Sequence, residues 1–148
     1  MDPRVLEAMV PFYTTDFGNP SSSHPFGWRA KEAVEAARAS VGRLVGASAR
    51  EIVFTSGATE ANNLAIRGLA ARHAQGHIIT VATEHPAILD VCASVGGEGI
   101  EITRLPVDAH GQVDPEQIRQ NLRDDTFLVS VMAANNEVGT IHRLQEIG

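Results

Sequence analysis

Four short apolar runs, at 51–55, 77–82, 100–105 and 126–132, alternate with stretches whose apolar residues recur every three or four positions. Runs this short and this apolar read as strands buried on both faces, and the stretches between them as amphipathic helices. Strand and helix in strict alternation demand crossover connections. The chain is therefore expected to form an α/β fold, a mostly parallel sheet flanked by helices. The helices are expected at 58–73, 86–95 and 115–122, with another beginning at 144. Ahead of the alternation, Asp2-Pro3 predicts an N-cap and first helical position for a helix running to Met9, which Pro11 ends. Glycines, prolines and three consecutive serines make 14–27 a loop, although it also carries Phe17 and Phe26. A helix over 28–45 then places Ala30, Val34, Ala37, Val41, Leu44 and Val45 on one stripe, with Gly46 as its stop.

Composition narrows the function classes. Eighteen acids against twelve bases give a net charge of −6. With no basic stripe to neutralise phosphates, direct nucleic-acid binding is not expected. A single cysteine, Cys92, excludes an internal disulfide and a zinc site built on several thiolates. No apolar run approaches the roughly 20 residues of a membrane span, and no secretory signal opens the chain. The cytoplasm is the expected compartment. Of the twelve basic residues only Lys31 is a lysine.

In parallel sheets ligands collect beyond the carboxyl ends of the strands, and three polar constellations fall there. Thr55-Ser56-Gly57-Ala58-Thr59-Glu60 is a glycine turn into a helix start. Its free N–H groups and helix dipole suit a phosphate, although a plain helix cap with a dipole-matched glutamate has the same spelling. Neither the spaced glycines of a dinucleotide fold nor a Gly-Lys-Ser/Thr phosphate loop is present. His85 stands before Pro86 at the mouth of the next helix. There it can stack on a ring and move protons near neutral pH, or simply cap the helix. Asn135-Asn136-Glu137 closes the last run, either as a ligand-facing loop or as a solvated turn. Together the three suggest one ligand bridging the crevice. Cys92 shares a helical stripe with Ile88, Leu89 and Val95 and reads as a core residue. His73 and His77 are four apart but straddle Gly76, a poor basis for a metal pair.

These same residues resemble a known family. Phe17-Gly18-Asn19-Pro20 with Ser21-Ser22-Ser23-His24, the stretch from Glu51 through Glu60, Thr83-Glu84-His85, and Asn135-Asn136-Glu137-Val138-Gly139 occur in the order seen in the cysteine desulfurases. Those enzymes are relatives of the class V aminotransferases with the fold-type-I pyridoxal-phosphate architecture. The resemblance implies that Ala58 and Thr59 hold the cofactor phosphate, and that His85 stacks on the pyridine ring and moves protons. It further implies that Asn136 hydrogen-bonds the ring's phenolic oxygen and that Asn19 lies near the active site and dimer interface. The implied activity removes sulfur from L-cysteine as an enzyme persulfide and releases alanine. That sulfur goes to iron–sulfur scaffold proteins or to thiolation pathways, and the enzyme is a homodimer.

The resemblance also implies what lies elsewhere in such an enzyme. The lysine that holds the cofactor, the aspartate that pairs with its ring nitrogen and the persulfide cysteine match no position in this chain. Lys31 and Cys92 sit outside the family's motifs for those roles. The expectation is an amino-terminal portion, with 1–13 a helical segment and 14–148 the first part of the cofactor-binding large domain, inactive alone. The rival readings are another class V aminotransferase, a selenocysteine lyase, or a non-catalytic assembly module that keeps only the phosphate cup.

Overall fold

The Asp2 carboxylate accepts the Arg4 amide at 2.9 Å, so the first helix starts where its Asp-Pro pair predicts. The computed structural model describes all residues, 1–148, as two compact units, Met1–Phe54 and Thr55–Gly148. In the first unit, α1 spans Pro3–Thr14 and α2 spans Pro25–Val45. The expected stop at Pro11 is overturned: Pro11 lies inside α1. A proline removes one helical donor, but in a solvent-exposed helix the orphaned carbonyl is hydrated. The amides of Thr15 and Asp16 converge on Pro11 O and close the final turn.

Helix α2 begins three residues earlier than its apolar stripe suggests. The His24 ring nitrogen caps it by accepting the Gly27 amide at 3.4 Å, a polar start that periodicity does not register. Gly46 ends it at φ 70°, the left-handed region where only glycine is unstrained. The expected buried stripe is corrected. Ala30 is buried, whereas Val41, Leu44 and Val45 are exposed, Leu44 to 84%.

The strand expected at 51–55 is also overturned. Ala49–Glu51 forms a single 3-10 turn, and the residues after it pair with no strand. A short apolar run specifies extended backbone, but a strand also needs a neighbour's N–H and C=O groups.

The second unit holds α3 (Ala58–Ala70), β1 (Gly76–Val81), α4 (Pro86–Gly96), β2 (Ile100–Leu105), α5 (Pro115–Asn121), β3 (Thr126–Ser130) and α6 (Leu144–Ile147). The three strands are parallel in the order β2-β1-β3, so β1 is central, and all six of its residues are buried. Alternation along β1 serves two cores. Ile78 packs with Ile66, Ala70, Ile88, Val91, Cys92 and Val95 from α3 and α4. Ile79 and Val81 face the opposite way onto Leu105, Val113 and Ile118. Gly76 is required by close approach: a Cβ there would lie 2.8 Å from the Phe127 ring. The expected α/β class and parallel sheet are what the structure has. No helix is long and apolar enough to cross a membrane.

Candidate functional site

Arg67, near the end of α3, donates to Ser94 Oγ at 2.7 Å and pairs with Glu98 at 3.4 Å, at the end of α4. The carboxyl-terminal ends of the two helices therefore lie together, and the helices pack along each other through Ile66, Ala70, Ile88, Val91 and Val95. Since α4 follows β1 directly, both N-termini open on the carboxyl edge of the sheet. The loop after β3 ends on the same edge. The structure thus brings Ala58 and Thr59, His85, and Asn136 to one edge of one sheet. Asn19 belongs to the first unit, where its Oδ1 accepts the Ser21 amide at 2.9 Å.

At α3 the first helical bond runs from Ala61 N to Gly57 O at 3.1 Å. The amides of Ala58, Thr59 and Glu60 precede it and have no acceptor within the helix. Ala58 and Thr59 are exposed, and the space above the Gly57 Cα is open, with no atom within 4 Å of where a Cβ would stand. Glu60 turns its carboxylate back to the Ser56 amide and hydroxyl at 2.6 Å each, and those two bonds hold its pKa down. Donors converging on open space at the positive end of a 13-residue helix suit a phosphate.

The capping reading of His85 is also correct. Its Nδ1 accepts the Ala87 amide at 3.1 Å, and the ring is exposed. Because an N–H occupies Nδ1, the neutral ring carries its proton on Nε2. A cap of this kind leaves the ring face and the Nε2 proton available to a ligand.

The two asparagines of the last loop separate into different tasks. Asn135 is 7% exposed and fully bonded. Its Nδ2 donates to Thr83 O at 3.0 Å, and its Oδ1 accepts the amides of Glu137 and Val138 at 2.9 Å each. Asn136 is exposed and free to meet a ligand. Residue pattern alone does not separate these neighbours, since both spell a polar turn.

Two buried groups escape sequence reasoning. Glu84 is 7% exposed, and burial pushes its carboxyl pKa up, opposed by the backbone amides of Met132 and His85. His77 is fully buried between Thr126 Oγ1 at 2.8 Å and Thr103 Oγ1 at 2.7 Å. Its partners are remote in sequence, so no local signal marks it. His73, the other member of the dismissed metal pair, stacks on Phe127 at 4.2 Å. Cys92 is 2% exposed, and burial first, then the Glu84 charge, push its thiol pKa up. A thiol in that state is a poor nucleophile. Lys31 lies on α2 in the first unit and is exposed.

The family model described as "Aminotransferase class-V" matches residues 1–148. The chain is 55% identical over 151 residues to cysteine desulfurase IscS of Rickettsia felis, and 54% identical to that of Rickettsia bellii. Each alignment takes in 100% of this chain and 37% of the relative. The chain thus spans just over a third of the length of the curated relatives it matches. Among solved structures, a NifS-like protein superposes with a TM-score of 0.93 at 41% identity, over 99% of this chain and 41% of the other. DndA from Streptomyces lividans gives 0.88 at 42% identity, over 99% and 42%.

Proposed function

The chain belongs to the class V aminotransferase family, and from that premise we propose that it supplies the phosphate- and ring-binding part of a pyridoxal-phosphate-dependent cysteine desulfurase. The observation that carries the reading is the shared edge on which the α3 amides, the His85 ring and Asn136 meet. An anionic, planar, hydrogen-bonding ligand needs those three kinds of contact. Pyridoxal phosphate has a phosphate, an aromatic ring and a phenolic oxygen, and the residues present fit all three.

In this reading the amides of Ala58 and Thr59, with the Thr59 hydroxyl, hold the phosphate at the α3 N-terminus. His85 lies against the ring and carries an exchangeable proton on Nε2. Asn136 donates to the phenolic oxygen. The bound cofactor supplies an electron sink for bond cleavage in an amino acid. The buried, high-pKa Cys92 thiol is unsuited to accept sulfur, and Lys31 lies outside this unit. The full reaction, L-cysteine to alanine with sulfur carried as an enzyme persulfide, therefore rests on groups elsewhere in the complete enzyme. We place residues 1–13 as an amino-terminal segment and 14–148 in the cofactor-binding large domain. A homodimer that hands sulfur to scaffold or thiolation proteins in the cytoplasm completes the proposal.

The test is a chimera in which this chain replaces the matching third of an IscS relative. Cofactor absorbance and cysteine-dependent alanine formation are expected, and both should fall in Thr59→Ala and His85→Ala. A folded chimera that binds pyridoxal phosphate but never releases alanine from cysteine would refute the desulfurase reading.

A further inference from the structure

We propose that Asn135 is a positioning residue, a clasp that holds the loop bearing His85 against the loop bearing Asn136. Its purpose rests on the cofactor reading above, whereas its geometry stands alone. Beyond the ends of β1 and β3 no ladder hydrogen bonds remain, and loops released from a sheet are its most mobile parts. Here a buried side chain crosses between them: Asn135 of the second loop donates through Nδ2 to Thr83 O of the first, at 3.0 Å.

Asn135 is 7% exposed; it is the immediate neighbour of Asn136, and the carbonyl it holds lies two residues before His85. Asn135 also fixes its own loop. Besides the Glu137 and Val138 amides at Oδ1, its backbone N–H donates to Thr140 O at 2.8 Å, and its carbonyl accepts Gly139 N at 3.0 Å. Ring stacking and a single directed hydrogen bond need placement within roughly 0.5 Å. A cross-link between the two loops provides that placement without touching the ligand.

The test uses the chain with histidine-selective nitrogen labelling, at concentrations below the onset of self-association, with the His85 signals identified by their loss in His85→Gln. Asn135→Asp keeps the oxygen that accepts Glu137 and Val138 but loses the donor to Thr83. It should degrade the single Nε2–H tautomer signature of His85, two residues from the broken bond, and speed amide exchange at Ala87 about tenfold. Asn135→Ser, which removes the same donor with a smaller side chain, should act in the same direction, and it decides the matter if the aspartate variant does not fold. A folded Asn135→Asp or Asn135→Ser chain whose His85 signals superimpose on wild type overturns the clasp. Titrating pyridoxal phosphate into the chimera judges the cofactor reading separately, so each proposal can fail without the other.

Discussion

The His77 imidazole, fully buried in the central strand, lies 2.7 Å through Nε2 from the Thr103 hydroxyl of β2. With Thr126 at 2.8 Å on its other nitrogen, one ring ties β1 to both neighbours. Removing one partner of a buried pair leaves the other unsatisfied, which costs about 1–3 kcal/mol. Thr103→Val is expected to destabilise the chain by that amount, read by urea denaturation. An unchanged midpoint would show that the ring gains nothing from the pairing.

The same ring sets an acid limit. Burial first, then the Arg123 charge, lower the His77 pKa below 6.5 in the folded state. The unfolded chain therefore binds more protons at mildly acid pH, and stability must rise with pH in that range. The contribution is complete above pH 6.5 and is lost as pH falls from there through the lowered folded value. Melting temperatures between pH 7 and 5 should fall more steeply for wild type than for His77→Gln. Parallel curves would place the acid sensitivity elsewhere.

Glu84 shifts the other way. Its carboxyl pKa is raised by burial, so the folded state favours the protonated form. Its contribution is fully present below about pH 4.5 and is lost as pH rises through the raised value. Glu84→Gln, which cannot ionise, should gain stability relative to wild type as pH climbs from 4 to 7. A gap between the two melting curves that stays constant with pH would argue against a strained carboxylate.

The phosphate cup has its own expectation. In the chimera, Thr59→Ala removes one hydroxyl hydrogen bond to a charged group, about 1.5–3 kcal/mol, or roughly ten- to a hundredfold in pyridoxal-phosphate affinity. Thr59 is exposed, so the melting temperature should barely move. Unaltered affinity would return the motif to a simple helix cap.

Apolar exposure predicts self-association. Tyr13 is 74% exposed, Trp28 and Phe17 61% each, and Leu44 84%, and the outer side of β3 pairs with no strand. Faces and edges of this kind associate. Sedimentation velocity on the chain should show concentration-dependent species larger than a monomer. A single 15.8 kDa species at every concentration would contradict this.

What the sequence made legible was local or strictly periodic. Asp2-Pro3, Asp114-Pro115 and Gly46 mark helix ends because capping involves residues two or three positions apart. The parallel sheet followed from apolar runs too continuous for a half-exposed strand. Residues 51–55 depart from the expected strand because a short apolar run reports extension and not pairing. Glu84, Asn135 and His77 stayed hidden because their partners lie across the sheet. Asn135 reaches Thr83 over a separation of 52 positions, and a polar residue in a loop motif looks the same whether it meets a ligand or a carbonyl. Nor does Asn136 alone distinguish a ligand contact from a solvated turn; family resemblance supplied that choice.

The central strand is the first of the three to leave the ribosome. His77 emerges 26 residues before Thr103 and 49 before Thr126. At the roughly 5–20 residues per second of synthesis, β1 spends about 2–10 s with at least one flank bare. Ile78, Ile79 and Val81 are the residues exposed in that interval. His77 and Thr80 are the polar members of that run, and polar residues interrupt an apolar segment's tendency to pair with other chains.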